Sequence, residues 1–333
     1  MTQTLAEKLQ RAWYQGSRWL VLLKPLSWLV SAVARRRLRV FRRREARPPV
    51  PVLVVGNVTV GGTGKTPLVI SLCERLQARG LRVVVISRGY GGNPPSLPWL
   101  VQPDQSAALS GDEPLMIARR TGVPVIVAPK RVDALDMAVR EHDAEVVISD
   151  DGLQHYALPR SAEIIVLDAQ RMLGNGACLP AGPLREPAQR LNEVDWVVVN
   201  GQPDKPVPEG AVVMTLHLDD PVNLLTGERL PIEDFIARFP LVDALAGIGN
   251  PQRFFASLQS LGLVVREHGF ADHHAFTAED FAAFGSAPVL MTEKDAVKCA
   301  AFAEASHWYM PVSAQLPNVF FDAVFEKLIR SRQ

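Results

Sequence analysis

The stretch Pro51-Val52-Leu53-Val54-Val55, followed by Gly61-Gly62-Thr63-Gly64-Lys65-Thr66 and the helix-like run Pro67–Arg79, decides the fold. A strand, a glycine-rich turn ending in Gly-Lys-Thr, and a helix form a cradle for phosphate groups. Backbone N–H groups surround the β-phosphate, the Lys65 ammonium neutralises phosphate oxygens, and the Thr66 hydroxyl can hold Mg²⁺. The sequence therefore predicts a phosphate-binding loop.

The loop departs from the strict pattern at Thr59, where a glycine is usual. The doubled Gly61-Gly62 supplies the missing flexibility, because glycine reaches positive φ without a Cβ clash. Val60 stands where partner-switching ATPases carry a signature lysine, which argues against a lysine acting in trans. The residues predicted to contact the nucleotide are Thr59, Gly61, Gly62, Thr63, Gly64, Lys65 and Thr66.

Charge is distributed unevenly along the 333 residues, a length sufficient for two domains. Residues 1–47 hold 12 of the 36 Lys/Arg and 2 of the 35 Asp/Glu, which leaves 24 basic and 33 acidic side chains elsewhere. A basic segment on an acidic body favours attraction to an anionic surface. The three cysteines lack metal-ligand spacing, and their odd number is typical of a reducing cytosol.

The basic segment opens with an apolar helical pattern, and eight arginines follow between Arg35 and Arg47. Its most apolar part, Trp19–Ala34, has 16 residues, fewer than the ~20 needed to span a bilayer. We therefore expect a helix in the membrane plane with its arginines on anionic lipid. The alternatives are a helix packed on the protein's own core, and nucleic-acid binding by the arginines. No nucleic acid is expected, because stacking aromatics are not regularly interleaved with the arginines.

Beyond the loop, apolar runs alternate with amphipathic ones. Strands are expected at 81–86, 123–128, 145–149, 164–167 and 196–199, and helices at 114–121 and 131–142. Further strands are expected in the second part of the chain, at 212–218, 242–248, 263–266, 288–291 and 308–311. This alternation predicts an α/β fold, a mostly parallel sheet flanked by helices as in P-loop NTPases, plus a smaller α/β domain. The proline- and glycine-rich run 201–210 marks a boundary. We expect a basic amino-terminal segment (1–47), a P-loop domain (48–205) and a carboxyl-terminal domain (206–333).

Polar clusters follow several strands, at the sheet edge where ligands of α/β proteins bind. Asp150 and Asp151 end a strand in the manner of acids that hold Mg²⁺ directly or through water, although such pairs also occur as plain turn residues. Asp112 is a candidate base for a substrate hydroxyl, and Glu113 a candidate metal ligand. The alternative for this pair is the start of a helix, and the sequence does not choose between them.

A second polar cluster is Asp272-His273-His274. Asp-His-His also ligates manganese in phosphoesterases, but the aspartate motifs that accompany it there are not apparent. A histidine beside a buried carboxylate can be tuned as a proton relay, and we assign this role to His273 rather than to its neighbour.

Three further side chains are candidates for contacts with substrate. Arg88 and Tyr90 lie in a glycine-rich run, and Arg185 precedes Glu186 and a proline. The arginines would meet anionic groups, the tyrosine would stack, and Glu186 would join the acidic metal site. The alternatives are a flexible turn for the first run and a surface ion pair for the Arg-Glu pair.

Taken together, these motifs resemble those of the tetraacyldisaccharide 4′-kinase family over nearly the whole chain. The resemblance rests on six runs in one order: 55–67, 87–92, 111–114, 150–155, 179–187 and 270–274. It implies ATP-dependent phosphorylation, with Mg²⁺, of the 4′-hydroxyl of an acylated glucosamine disaccharide 1-phosphate in lipid A biosynthesis. It also implies a cytosolic position on the bacterial inner membrane, bound through the amino-terminal helix.

The same resemblance implies that Asp112 is the catalytic base, supported by His273, with Lys65 on the phosphates. A short β-linker would join the two domains, and the smaller one would close the active-site cleft. A P-loop switch ATPase acting on a membrane-bound partner is the alternative function. The missing signature lysine argues against it.

Overall fold

A computed structural model of the chain describes residues 5–43, 46–204, 206–282, 284–285 and 287–332. The helices are α1 (Leu5–Gln15), α2 (Lys24–Arg42), α3 (Lys65–Gln77), α4 (Ala107–Ser110), α5 (Asp112–Thr121), α6 (Arg131–His142), α7 (Ile232–Arg238), α8 (Pro251–Ser260), α9 (Glu293–Cys299) and α10 (Asn318–Arg330). Short 3₁₀ helices occupy Arg18–Leu23, Ala188–Glu193, Ala278–Phe281 and Ala300–Phe302.

The strands follow the chain as β1 (Val52–Gly56), β2 (Val83–Ser87), β3 (Trp99–Leu100), β4 (Val125–Val127), β5 (Val146–Asp150), β6 (Ala162–Asp168), β7 (Trp196–Asn200), β8 (Val212–Leu218), β9 (Val222–Asn223), β10 (Leu241–Ala246), β11 (Val264–Gly269), β12 (Val289–Thr292), β13 (His307–Met310) and β14 (Val312–Gln315). The chain forms two compact units. The first unit contains 1–87, 130–215 and 315–333, and the second unit contains 88–129 and 216–314.

The first unit is built on a parallel sheet in the order β8–β7–β6–β1–β5–β2. Every residue of β1, β2, β5 and β6 is buried, as expected for strands that are covered on both faces. Helix α3 packs on β1, β2 and β5, α6 packs on β2 and β5, and α10 packs on α3. This arrangement confirms the α/β fold predicted from the alternating runs.

The second unit contains a five-stranded sheet in the order β11–β10–β12–β13–β9, in which only β9 runs antiparallel to its neighbour. Large aromatic side chains fill one face of it, including Phe235, Phe255 and Trp308. Burial of each such ring contributes roughly 1.5–3 kcal/mol of hydrophobic free energy. Helix α5 packs against α9 in this unit, which brings residues distant in sequence side by side.

Residues 88–129 cluster with the second unit, whereas the sequence-based division assigns them to the segment 48–205. The compact units are thus discontinuous along the chain, and the continuous three-segment division stays a prediction. The β11 strand also extends beyond the expected 263–266. Its last residues, Glu267-His268-Gly269, are polar and were recognisable as strand only through their backbone pairing with β10.

The amino-terminal segment is not one continuous helix. Gly16, at φ +75°, follows α1, and a 3₁₀ turn leads into α2. Pro25 lies in the first turn of α2, where its missing N–H leaves no hydrogen bond unmade. Trp13 and Leu20 are buried, and Trp13 Nε1 donates to the Pro180 carbonyl oxygen over 2.9 Å. One side of the segment therefore packs on the first unit.

The other side of the amino-terminal segment carries large exposed apolar side chains. Leu22 is 81% exposed and Trp28 is 69% exposed, and the set continues through Trp19, Val21, Leu26, Leu29 and Val33. Within the described residues, no helix combines the length and hydropathy that crossing a membrane would need. The structure therefore agrees with a helix packed on the protein's own core, and membrane binding through the exposed apolar side chains stays a prediction.

Candidate active site

The phosphate loop joins the carboxyl end of β1 to the first residue of α3. Gly61 and Gly64 take φ values of +96° and +86°, in the left-handed region that favours glycine. Gly64 is also the residue from which α3 begins, so the N–H groups of the first helical turn face the loop. The doubled glycine therefore supplies at Gly61 the flexibility that Thr59 lacks, and Thr59 itself is buried and bridged to Leu184.

Neighbouring segments of the first unit fix the shape of the loop. The N–H of Val60 donates to Pro183 over 3.0 Å, and Arg185 N–H donates to Val58 over 2.7 Å. Asn200, at the end of β7, donates from Nδ2 to the Thr63 carbonyl over 3.1 Å. The Cβ of any larger residue at position 64 would fall on that same Asn200 amide. The loop is thus held by backbone bonds and close packing.

Two basic side chains at the phosphate loop contact Asp151, the aspartate that follows β5. Lys65 Nζ lies 3.4 Å from Asp151 Oδ1, and Arg185 Nη1 lies 3.4 Å from Asp151 Oδ2. Burial raises the pKa of Asp151, but Lys65 and Arg185 outweigh it, and the net pKa lies below the usual aspartate value. Asp151 also has φ +48°, a conformation uncommon outside glycine. Asp151 is therefore an ionised carboxylate beside the phosphate-binding lysine.

Oxygen donors suited to Mg²⁺ occur in the same region. Among the residues the structure describes, no group of three His, Cys, Asp or Glu side chains forms a preformed metal site. Mg²⁺ commonly uses one or two carboxylates together with substrate phosphates and water. Thr66, Asp150 and Asp151 provide such oxygens, and Thr63 Oγ1 is buried without a hydrogen-bond partner within the described chain. The donor set fits a magnesium ion that arrives with a nucleotide.

Glu186 lies in a buried ionic network. Its carboxylate accepts hydrogen bonds from Tyr156 over 2.6 Å, from Gln154 over 2.8 Å and from Arg190 Nε over 3.2 Å. Burial and the Glu186 carboxylate raise the pKa of Tyr156 above its usual value, so this phenol stays a donor. These three hydrogen bonds give the buried Glu186 carboxylate a structural role. Its role as a metal ligand stays a prediction.

Asp112 and His273 meet in the second unit. Asp112 is the first residue of α5, after Gly111 at φ +88°, and its Oδ2 lies 3.1 Å from His273 Nδ1. His273 has φ +61°, which directs a non-glycine residue into the left-handed region. The Tyr90 ring lies 5.5 Å from the His273 ring. Two residues 161 positions apart thus form a carboxylate–imidazole pair.

The adjacent histidine has a different environment. His274 Nε2 lies 3.1 Å from Asp280 Oδ2, and its ring contacts Phe270 and Phe276 at centroid distances of 4.8 Å. Asp280 belongs to a capping box at the start of the Ala278–Phe281 turn. His274 therefore has a structural role in its own loop, through its contact with Asp280. His273 is the histidine of this pair that contacts Asp112.

Two lysines beside this pair went unnoticed in the sequence. Lys294 Nζ lies 3.4 Å from Glu113 and 3.3 Å from Asp272, and Lys298 Nζ lies 3.9 Å from Asp112. Burial lowers the pKa of Lys294, but Glu113, Asp272 and Asp112 raise it further, so the net pKa lies above the usual lysine value. The sequence signal was available: lysines at i and i+4 on a short helix directly after a strand end share one face.

The remaining predicted substrate contacts lie in different places. Arg88 is exposed and Tyr90 is 70% exposed, both in the second unit, in the turn that follows β2. Arg185 belongs to the first unit and is engaged with Asp151. An exposed arginine and an exposed ring are available to a ligand, whereas Arg185 is already paired with Asp151, the acid beside the phosphate loop.

Comparisons with known proteins point to one family. A family model described as LpxK, tetraacyldisaccharide-1-P 4′-kinase, matches residues 19–330. A tetraacyldisaccharide 4′-kinase from Alcanivorax borkumensis is 55% identical over 326 residues, which cover 98% of each chain. One from Pseudomonas aeruginosa is 51% identical over 332 residues, covering 98% of this chain and 99% of that protein. The crystal structure of LpxK from Aquifex aeolicus in complex with ATP is similar, with a TM-score of 0.76 at 26% identity, covering 93% of this chain and 99% of that one.

Proposed function

The chain belongs to the LpxK family of tetraacyldisaccharide-1-phosphate 4′-kinases, and on this premise we propose how its described residues perform the transfer. It is an ATP-dependent phosphotransferase of lipid A biosynthesis that acts on the 4′-hydroxyl of a tetraacyldisaccharide 1-phosphate, giving lipid IV-A. We propose the roles of its individual residues and its position on the membrane.

The first unit binds the nucleotide in this proposal. The N–H groups of 61–66 surround the phosphates, and Lys65 neutralises the oxygens from which charge must be dispersed during transfer. A bound Mg²⁺ would supply further charge neutralisation at the β- and γ-phosphate oxygens. Thr66, Asp150 and Asp151 would hold it, and Asp151 in addition holds the Lys65 ammonium in place, as its 3.4 Å contact supports.

The second unit activates the acceptor. The Asp112 carboxylate takes the proton of the 4′-hydroxyl, whose oxygen then bonds to the γ-phosphorus while the bond to the β–γ bridging oxygen breaks, giving ADP. His273 orients the Asp112 carboxylate and receives its proton, acting through another residue rather than on the phosphorus. The 3.1 Å contact between these side chains is the observation that carries this assignment.

Charged and stacking side chains would contact the lipid substrate. Arg88 presents an unshielded guanidinium suited to a phosphate oxygen, and the exposed Tyr90 ring suits the face of a sugar. Arg185 would add charge on the side of the phosphate loop. These are the predicted substrate contacts.

We further propose that the amino-terminal segment holds the enzyme on the cytosolic face of the bacterial inner membrane. Its exposed apolar side chains enter the acyl boundary, its tryptophans lie at headgroup level, and its arginines meet anionic lipid. A peripheral position of this kind confines the enzyme to the plane in which an acylated substrate resides. The exposed Leu22 and Trp28 support it.

The test of the kinase is transfer of label from γ-labelled ATP to detergent-dispersed disaccharide 1-phosphate by the full chain. Label is expected in the lipid with wild type and with Lys130→Ala, an exposed lysine used as control. Lys65→Ala is expected to lower transfer by at least ~10²-fold, since a charge-stabilising donor is lost. ATP hydrolysis without labelled lipid would contradict the kinase and favour a switch ATPase.

The test of membrane binding uses matched surface substitutions. Leu22→Ser with Trp28→Ser removes two exposed apolar side chains from the amino-terminal segment, and Leu225→Ser with Val319→Ser removes two others of comparable exposure elsewhere. The first pair is expected to lose co-flotation with lipid vesicles, and the second pair to keep it. Equal flotation of the two variants would contradict the proposal.

A further inference from the structure

An open cavity of about 380 Å³ lies in the first unit, between the carboxyl-terminal half of α2 and the segment 186–193. Its lining includes Arg35, Arg39, Arg42 and Arg43 from α2 and the residue after it. Residues at i, i+4 and i+7 share a helix face, so the first three arginines point to the same side. The phosphate loop contributes no residue to this lining.

The cavity carries an excess of positive charge. Five arginines and two glutamates line it, a formal excess of three positive charges. Arg42 is paired with Glu193 over 3.1 Å, and Glu186 is occupied by Arg190, whereas Arg35 and Arg39 have no acidic partner among the described residues. Unpaired guanidinium groups on one wall repel each other, and an anion relieves this repulsion.

The base of the cavity contains a buried arginine with spare donor capacity. Arg190 is 2% exposed, and its Nε and Nη2 bond to Glu186 and Glu163. Its Nη1 has no hydrogen-bond partner within the described chain. Burial lowers the pKa of Arg190, but the bonds to Glu163 and Glu186 raise it further, so the group is charged at any physiological pH. A buried N–H that lacks a partner is unfavourable, and an entering oxygen would offset this cost.

Apolar surface precedes the cavity along the same helix. Trp28 is 69% exposed and precedes Arg35 by seven residues, so it lies on the same face of α2 as the cavity arginines, whereas the exposed Leu26, Leu29 and Val33 lie on the opposite side. A molecule with an apolar tail and an anionic head matches the order along this face, because the tail would contact the Trp28 ring and the head would lie among the guanidinium groups.

We propose that this cavity binds the phosphate of an anionic phospholipid headgroup, with Arg35, Arg39 and Arg190 as its donors. The inference rests on the proposed membrane position and deepens it, since it replaces a diffuse attraction of basic residues to the surface with a defined lipid site. Guanidinium groups bind phosphate oxygens in pairs, which a general charge attraction does not require.

The experiment compares two double variants of the full chain that lose equal charge. Arg35→Gln with Arg39→Gln removes the two arginines of the cavity wall that have no acidic partner among the described residues. Arg36→Gln with Arg47→Gln removes two arginines of the same segment that do not line the cavity. Binding to phosphatidylcholine vesicles, with and without 30% phosphatidylglycerol, is measured by flotation. The assay is run at 0.5 M salt, where the Debye length falls to roughly 4 Å and diffuse attraction is screened.

The cavity variant is expected to bind the phosphatidylglycerol vesicles at least tenfold more weakly than the control variant and wild type, with equal binding of all three to pure phosphatidylcholine. Equal losses in the two variants would overturn the proposal, because the arginines would then act only through their charge. Undiminished vesicle binding with a raised KM for the disaccharide 1-phosphate would also overturn it, in favour of the substrate's own phosphate. The detergent labelling assay contains no phospholipid, so failure of the kinase and failure of the lipid site give distinct results.

Discussion

The phosphate loop of the first unit and the carboxylate–imidazole pair of the second unit reach their geometry by different means. The loop is fixed by the backbone: it follows the buried strand β1, it contains left-handed glycines, its Val60 N–H donates to the Pro183 carbonyl, and its Thr63 carbonyl accepts from Asn200. The pair is fixed by side chains, since Asp112 begins a helix and His273 lies in a loop that contacts it through one 3.1 Å interaction. The loop is consequently sensitive to shape, and the pair to charge.

This difference follows from the task of each region. Phosphate oxygens carry fixed negative charge, so a rigid set of N–H donors serves throughout the reaction. A base must change its protonation state during the reaction, and surrounding side chains must respond to that change. Substitutions that alter one property at a time can therefore separate the two regions.

The largest effect is expected for Asp112→Asn, which keeps the shape of the pair and removes its basicity. We expect kcat to fall by about 10²–10⁴-fold with ATP affinity unchanged, since general base catalysis contributes about that much. Steady-state kinetics and equilibrium nucleotide binding measure the two quantities. A parallel loss of ATP affinity would contradict the assignment of the base.

The chain offers a matched control for that substitution. Asp280 and His274 form a second pair at the same 3.1 Å distance in the second unit. Asp280→Asn is expected to lower thermal stability, because Asp280 caps the Ala278–Phe281 turn, with little change in kcat. A comparable fall in kcat for both variants would show that the first result reflects general electrostatics.

The next effect concerns the shape of the loop. Gly64→Ala introduces a Cβ at φ +86° that falls on the Asn200 amide, and we expect nucleotide binding to weaken by more than tenfold. Gly80→Ala is the control, because Gly80 has φ +77° but open space around it. It is expected to cost about 1 kcal/mol of unfolding free energy from backbone strain alone, with normal ATP affinity. Isothermal titration calorimetry measures ATP affinity, and urea unfolding measures stability. A loss of ATP affinity in Gly80→Ala as large as in Gly64→Ala would show that backbone strain, rather than the clash with Asn200, weakens binding.

A smaller effect is expected for Lys294→Met in the second unit. Lys294 contacts Glu113 and Asp272 and lies 3.5 Å from His273, so it is proposed as a positioning residue for the pair. We expect about a tenfold fall in kcat without a change in KM for ATP, since a hydrogen bond to a charged group contributes about 1.5 kcal/mol. Lys294→Arg is expected to restore part of kcat. A change confined to thermal stability would contradict the positioning role.

The smallest effect is a pH dependence of stability in the first unit. The pKa of Asp151 is depressed in the folded protein by Lys65 and Arg185, against the effect of burial. Its contribution is therefore fully present above the unfolded aspartate pKa of about 3.9 and is lost as pH falls through the lower folded pKa. The difference in unfolding free energy between wild type and Asp151→Asn should shrink between pH 5 and pH 3, as measured by urea unfolding. If this difference in unfolding free energy grew as the pH fell, it would contradict a depressed pKa of Asp151 in the folded protein.

Sequence patterns predicted the elements that depend on local chemistry. Helix 131–142 and strand 212–218 have the predicted bounds, because apolar periodicity and flanking turn residues specify both. The polar end of β11 was missed, since only pairing with β10 makes it a strand. Lys294 and Lys298 were missed for a similar reason: their partners are distant in sequence.

The sequence by itself determined the α/β class, the phosphate loop and the family, because a loop of Gly-Lys-Thr between an apolar strand and a helix is a local pattern. Only the tertiary structure decided which histidine faces Asp112, how Glu186 is buried, and that 88–129 clusters with 216–314. These facts depend on contacts between residues distant in sequence, 30 positions apart for Tyr156 and Glu186 and 161 positions apart for Asp112 and His273. Local patterns carry no information on such contacts, because the free energy that selects them comes from packing of the whole unit.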